Sequence, residues 1–249
     1  MDLNIVTETE NQCWSLRRDA ENLATYTKGA VINTVPDPNA DINMFINYAL
    51  YEPVDTITTA MFTHQEFEDP LKSRFDSVAE KVDWCFAMCP NTLSYLPQWK
   101  SSIMWVWPSP QFYREEPLVL GISGRGYKSG RKRMHWEDEI ASIPGITVKT
   151  TGGKLRWEEM PSYYDSLDYL VVVSENEGGP KPVVEALARG VPVIAPDVGY
   201  SWEFPVIRYD GTKSGLLSLL SSLVIPKNGW EHTAKHVYKV HERLLRWTS

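Results

Sequence analysis

With 249 residues, 43% of them hydrophobic and 23% charged, the chain has the composition of a soluble globular protein, with material for one large core or two small ones. Its net charge of −7 argues against a general nucleic-acid binder, which needs a positive field over the phosphates. No run approaches the ~20 apolar residues of a bilayer span, and no basic-then-apolar leader opens the chain. Cys13, Cys85 and Cys89 are odd in number and sit in or beside apolar segments, so buried thiols in a reduced, cytoplasmic setting are expected.

Leu3–Thr7 is the first expected strand, and Leu16, Ala20, Leu23 and Ala24 give helical periodicity from Ser15 to Lys28. Val31–Asn33, Ile42–Ile46, Thr56–Thr63, Trp84–Ala87 and Ser101–Val106 read as further strands. Their connectors are helical or irregular, as in the charged stretch Glu66–Lys81. Pro108 and Pro110 mark a linker that no helix can cross. The rhythm then restarts with a strand at Leu118–Ser123, a basic glycine loop, and a helix from Lys132 to Ser142. Ile146–Thr150, Tyr169–Val173, Val193–Ala195 and Val206–Ile207 continue it. Strands alternating with helices imply parallel sheets covered on both faces, hence an α/β protein. The expected divisions are residues 1–110, 111–228 and a last helix in 229–249. The helix's stripe of Ala234, Val237, Tyr238, Leu244 and Leu245 suits either a crossing back to the first half or packing on its own half.

The densest signal follows the strand Tyr169–Val173. A loop with Gly178 and Gly179 leads into a helix that Pro182 opens and Gly190 closes, and a strand resumes at Val191. Such a unit presents backbone N–H groups and a helix N-terminus to an anion. Glu177 and Glu185 frame it with seven residues between them; the first can face a polyhydroxyl ligand and the second can accept two hydrogen bonds from a vicinal diol. Upstream, Arg125, Lys128, Arg131, Lys132 and Arg133 crowd one loop with no acid among them, which suits a phosphorylated small molecule. The segment Gly121-Ile122-Ser123-Gly124-Arg125-Gly126 has the wrong glycine spacing for a dinucleotide reader. His64 stands at the carboxyl end of an expected parallel strand, where a ligand crevice belongs. Cys85-x3-Cys89 and the pair His232 and His236 lack further ligands, and no Asp-x-Asp appears, so no metal site is expected. Trp14 and Trp202 are candidate platforms for a sugar ring.

The stretch from Glu177 to Ala195 resembles the Glu-x7-Glu signature of the retaining nucleotide-sugar glycosyltransferases of family 4, matching it at Glu177, Gly178, Gly179, Pro182, Glu185 and on through Ala195. The resemblance implies a GT-B fold, two Rossmann-like domains facing across a cleft, here at minimal size and similar to a shortened, phage-type member. It implies a nucleotide-diphosphate sugar as donor. Arg125 with Lys128, Arg131 or Lys132 would hold the diphosphate, Glu177 and Ser174 the sugar side, Glu185 the ribose, and the backbone at Gly178 and Gly179 the sugar and phosphates; His64 would reach the donor sugar. Catalytic roles are expected for His64, Glu177, Arg125 and Lys128, with no cofactor or metal beyond the donor itself. The acceptor stays open between a soluble or lipid-linked saccharide and a hydroxymethylated DNA base. A nucleotide-sugar epimerase of the same fold and a non-catalytic nucleotide-sugar-binding subunit remain alternatives. The resemblance is dense over residues 118–212 and only a pattern before them: Asn11-Gln12-Cys13-Trp14 stands where the family's first glycine loop would be.

Overall fold

In the computed structural model, which describes residues 1–9, 14–65, 67–126 and 128–248 without the side chains of Trp14 and Thr248, the chain divides into two units. The first comprises Met1–Tyr113 with Pro226–Ser249, the second Arg114–Ile225. Cys13, Glu66 and the indole of Trp14, singled out above, lie outside the described residues.

The first unit runs β1 (Leu3–Val6), α1 (Trp14–Thr25), β2 (Ala30–Asn33), β3 (Ile42–Phe45), β4 (Ile57–Phe62), α2 (Leu71–Lys81), β5 (Trp84–Ala87), α3 (Pro90–Leu93) and β6 (Ser101–Ile103). Its strands pair in the order β2-β1-β3-β4-β5-β6, all parallel. Period-two alternation divides the side chains between two cores. Leu3, Ile5, Ile42, Met44 and Phe86 join Ala20 and Leu23 of α1. Val6, Phe45, Ala60, Phe62 and Cys85 join Phe75, Val78 and Ala79 of α2 on the other face. Two fully buried asparagines interrupt the apolar runs, and each is satisfied. Asn4 Nδ2 donates to Asn43 Oδ1 at 2.7 Å, and Asn43 Nδ2 donates to Asp37 O and Thr56 Oγ1 at 2.8 Å each. Lys100 is buried as well; its ammonium donates to Glu80 O at 2.8 Å and Val82 O at 2.6 Å, closing off the last carbonyls of α2.

The second unit runs β7 (Leu118–Ile122), α4 (Glu137–Ala141), β8 (Ile146–Thr150), α5 (Met160–Asp165), β9 (Tyr169–Val171), α6 (Lys181–Ala188), β10 (Val193–Ala195), β11 (Ile207–Arg208) and α7 (Lys213–Ser222). The sheet order is β11-β10-β9-β7-β8, again wholly parallel. Leu120, Ile122, Val171 and Ile194 pack on α4 and α7; Leu170, Val193 and Ala195 pack on α5 and α6. The chain is thus the α/β protein with two parallel sheets that the strand rhythm predicts. Gly190 ends α6 as expected, at φ +75. Gly190 N donates to Leu187 O at 3.0 Å and Val191 N to Ala186 O at 2.9 Å, the paired bonds of a Schellman ending.

α8 (Gly229–Thr248) follows the second unit in sequence but packs into the core of the first, through Trp230, Ala234, Val237, Val240 and Leu244. Each large apolar side chain so buried contributes roughly 1.5–3 kcal/mol. His241 of this helix is fully buried, 3.1 Å from Thr59 Oγ1 and edge-on to Phe86. Burial pushes its imidazole down to about 3, so it is neutral in the core.

Of the three thiols, Cys85 is buried as expected, whereas Cys89 is only half-buried and receives Thr92 N at 3.5 Å at the start of α3. The expected helix Lys132–Ser142 shrinks to a single tight turn, Met134–Trp136, followed by the short α4. Among the described residues, no helix is long and apolar enough to cross a membrane.

Candidate functional site

Each sheet reverses its strand order once, where β1 is flanked by β2 and β3 and where β7 is flanked by β8 and β9. In open α/β sheets, ligands occupy the crevice at the carboxyl ends of the strands at such a reversal. In the second unit the loop after β7, residues 123–133, and the loop after β9, residues 172–180, both leave from that point. These are the basic loop and the Glu177 loop.

The two loops are fastened together. Glu175 N donates to Arg131 O at 2.8 Å, and Arg131 Nη1 donates to Asn176 O at 3.0 Å and to Glu177 Oε2 at 3.3 Å. Lys132 Nζ donates to the other oxygen, Glu177 Oε1. Arg133 Nη2 lies 3.5 Å from Glu175 Oε1, while its Nη1 donates to Gly211 O at 2.7 Å and its guanidinium covers the Trp136 ring at 4.8 Å. These tertiary bonds explain why the expected helix does not begin at Lys132. Arg133 takes the left-handed φ of 47°, uncommon for a residue with a side chain, and so turns the basic run toward the Glu177 loop.

Only 9% of the Glu177 side chain is exposed. Burial alone would push its carboxyl up; hydrogen bonds from Lys132, Ser174 and Arg131 and the charge of Lys132 outweigh that and hold it below the ordinary carboxylate range. Ser174 is itself buried. A pocket at this place is lined by Ser123, Lys132, Ser174, Glu177, Pro180 and Pro182.

Glu185, one turn into α6, accepts the Tyr164 hydroxyl on Oε2 at 2.7 Å. Burial, the hydrogen bond to Glu185 and that carboxylate's charge push the Tyr164 phenol well up, while a hydrogen bond with Ser123 pulls the other way. The order Ser123, Tyr164, Glu185 therefore links the end of β7 to α6. Nothing in the sequence pattern alone marks that link, because Tyr164 lies 21 positions from Glu185 and on a different helix.

The two loop glycines differ. A Cβ on Gly179 would stand 2.3 Å from the Tyr200 ring, so packing keeps that position bare. A Cβ on Gly178 would meet nothing within 4 Å, which leaves its backbone open to approach. Gly199, at φ +55, seats the loop from below; a Cβ there would stand 2.9 Å from both Glu177 O and Gly178 O.

Arg125 and Lys128 are exposed on the same basic loop. The Arg125 stem crosses Gly153 of the loop after β8. His64 belongs to the first unit, just past β4; it is exposed and its Nδ1 lies 2.8 Å from Thr63 Oγ1. Trp202 is 61% exposed, beyond β10 in the second unit. The structure therefore gathers Ser174, Glu177, Arg131 and Lys132 into one contact set, with Gly178, Gly179 and Glu185 on the same loop and helix. Among the described residues, no three His, Cys, Asp or Glu side chains come together as a metal ion would need.

Residues 109–241, just over half of the chain, match the family described as Glycosyl transferases group 1. A search of curated proteins returned no match. Among solved structures, the lipopolysaccharide outer core galactosyltransferase WaaB, apo form, aligns over 100% of this chain and 99% of its own, at 12% identity and a TM-score of 0.34. Anabaena Alr3699/HepE in complex with UDP aligns over 100% and 99%, at 10% identity and a TM-score of 0.36. WaaG, a glycosyltransferase involved in lipopolysaccharide biosynthesis, aligns over 98% of each chain, at 12% identity and a TM-score of 0.36. Scores this low place no residue.

Proposed function

The chain belongs to the group 1 glycosyl transferases, and from that premise we propose that it moves a glycosyl group from a nucleoside-diphosphate sugar to an acceptor hydroxyl, with retention at the anomeric carbon. The observation that carries this reading is the clasp at the second sheet's reversal, where Lys132 and Arg131 hold both oxygens of Glu177. A carboxylate kept ionised beside cations can accept sugar hydroxyls while the cations face a departing phosphate. Charge collects on the nucleoside diphosphate as the glycosidic bond breaks, and fixed cations stabilise it more in the transition state than in the ground state.

In this reading Arg125 and Lys128 bear the diphosphate, with Lys132 and Arg131 behind them on Glu177. Glu185, one oxygen held by Tyr164, accepts the ribose diol; Gly178 lets the backbone approach, and Ser174 orients Glu177. Retention comes from the family resemblance, and front-face attack assisted by the leaving phosphate fits a site where Glu177 is engaged by cations. With Arg125 and Lys128 on the diphosphate and two further cations behind them, a divalent ion is not required. A saccharide hydroxyl is the acceptor we favour, since the net charge of −7 weighs against DNA.

The test is a thermal-shift panel of UDP-, GDP- and ADP-sugars with and without EDTA, because a ligand specific to the native state raises the melting temperature. One nucleotide class should stabilise the protein, unchanged by EDTA, and transfer or slow hydrolysis of that donor should follow. If no nucleotide sugar shifts the melting point, the reading fails. Isotope scrambling at a sugar carbon without acceptor would replace it with epimerisation.

A further inference from the structure

We propose that the turn after β8, Thr151-Gly152-Gly153, is a positioning element for the donor diphosphate: it is the seat on which Arg125 is built. This rests on the donor reading above. An exposed arginine has a long, mobile stem, and a guanidinium serves a bound phosphate best when part of that freedom is already removed.

The seat has two points of support. Thr151 is buried, and its Oγ1 accepts Gly124 N at 2.9 Å and donates to Gly124 O at 3.2 Å. Both polar groups of the residue just before Arg125 are thus held by one side chain. The second support is a vacancy in the turn itself. A Cβ placed on Gly153 would stand 2.6 Å from Arg125 Cβ and 3.3 Å from its Cγ and Cδ. The Arg125 stem therefore occupies the space that any side chain at position 153 would fill. Because the clash is at Cβ, close to the main chain, no rotamer change of Arg125 relieves it; the backbone of one loop must move.

The turn also contains its own control. Gly152 and Gly153 both have left-handed φ, +55 and +71, so an alanine strains the backbone at either. A Cβ on Gly152, however, would meet only Lys154 Cε, at 3.9 Å. The two substitutions share the strain and differ in the contact with Arg125.

The experiment is calorimetry with whichever of UDP, GDP or ADP binds the wild type, and with its monophosphate, on Gly152→Ala, Gly153→Ala, Arg125→Ala and the double variant. Gly153→Ala should weaken the diphosphate about tenfold more than Gly152→Ala, as expected for a displaced charge-assisted hydrogen bond, with the monophosphate nearly unaffected. The double variant should bind no more weakly than Arg125→Ala, since the two changes remove one interaction. Thr151→Val should show the same non-additivity, and it carries the test if Gly153→Ala does not fold. Equal losses at positions 152 and 153, or additive losses in the double variant, overturn the seat while leaving the donor reading in place. If Arg125→Ala itself leaves diphosphate affinity unchanged, the assignment of Arg125 to the donor is wrong and the seat falls with it.

Discussion

The two strand reversals follow one topological rule and are furnished in opposite ways. At β7 and β9 the central carboxylate, Glu177, has both oxygens held by cations. At β1 and β3 the corresponding carboxylate is Glu8, just past β1. Asn47 Nδ2 donates to its Oε1 at 3.2 Å, while its Oε2 and the Thr7 hydroxyl are buried without a hydrogen-bond partner among the described residues. Topology thus fixes where a crevice lies, and the side chains of two loops decide what it can bind. One crevice is pre-paid in ion pairs and is suited to an anion; the other keeps unspent polar capacity, which suits hydroxyl groups.

The sharpest attempt to break this contrast is to neutralise each carboxylate in turn. Glu177→Gln should cut turnover on the order of 10²–10³-fold, the usual loss for a site's electrostatic partner, read as initial rate of donor consumption. Glu8→Gln should leave donor affinity unchanged by calorimetry. Equal damage to donor binding from both variants would erase the distinction.

Acid should probe the first unit next. The His241 imidazole is lowered from 6.5 to about 3, so the unfolded chain takes up the proton first. The stability it contributes is present above 6.5 and is lost as pH falls toward 3, on the order of a few kcal/mol by about pH 4. The Glu177 carboxyl is held below its ordinary 4.5, so its contribution persists down to that value and is lost only as pH falls through the lower folded one. Asp19 of the same unit opposes the His241 loss, because burial raises its carboxyl to about 7 and the folded state takes up that proton first as pH falls. Hydrogen exchange of wild type against His241→Gln at falling pH should therefore isolate the loss at His241. His241→Gln should flatten that early loss.

Smaller effects belong to the nucleoside end. Glu185→Ala should weaken the bound nucleotide about tenfold or more, as for removing an ionised hydrogen-bond acceptor. The penalty should be much smaller for the 2′-deoxy nucleotide, which lacks half of the diol. Tyr164→Phe, which frees Glu185 without removing it, should cost about threefold, near the low end of one hydrogen bond's net worth, again mainly on the ribonucleotide. Equal losses on both sugars would remove Glu185 from the ribose.

Much of this architecture is legible in the chain. Trp84–Ala87, Ile146–Thr150 and Val193–Ala195 are strands over the very residues expected, because short β-branched and apolar runs bounded by turn residues leave little choice. The Glu177 to Gly190 unit is legible too, since proline and glycine punctuate it. Three features are not. The basic run from Arg131 to Arg133 looks helical locally, but bonds to Glu175, Glu177 and Gly211, far away in sequence, outweigh its propensity. α7 went unanticipated, although Thr212 caps it by accepting Gly215 N at 3.0 Å; its serine-interrupted leucines blur the helical period. The Arg125 seat is invisible in principle, since no pattern says which glycine lies under which arginine.

The first unit is discontinuous in sequence, with α8 arriving after the whole of the second. During translation, the stretch Arg114–Ile225 can therefore close around its own core while the earlier half still lacks Trp230, Val237 and Leu244. Domains fold as units as they emerge, so the ribosome delivers a finished second unit before a finished first one. A nascent chain stalled before α8 should already resist protease across residues 114–225 and remain cleavable within 1–113.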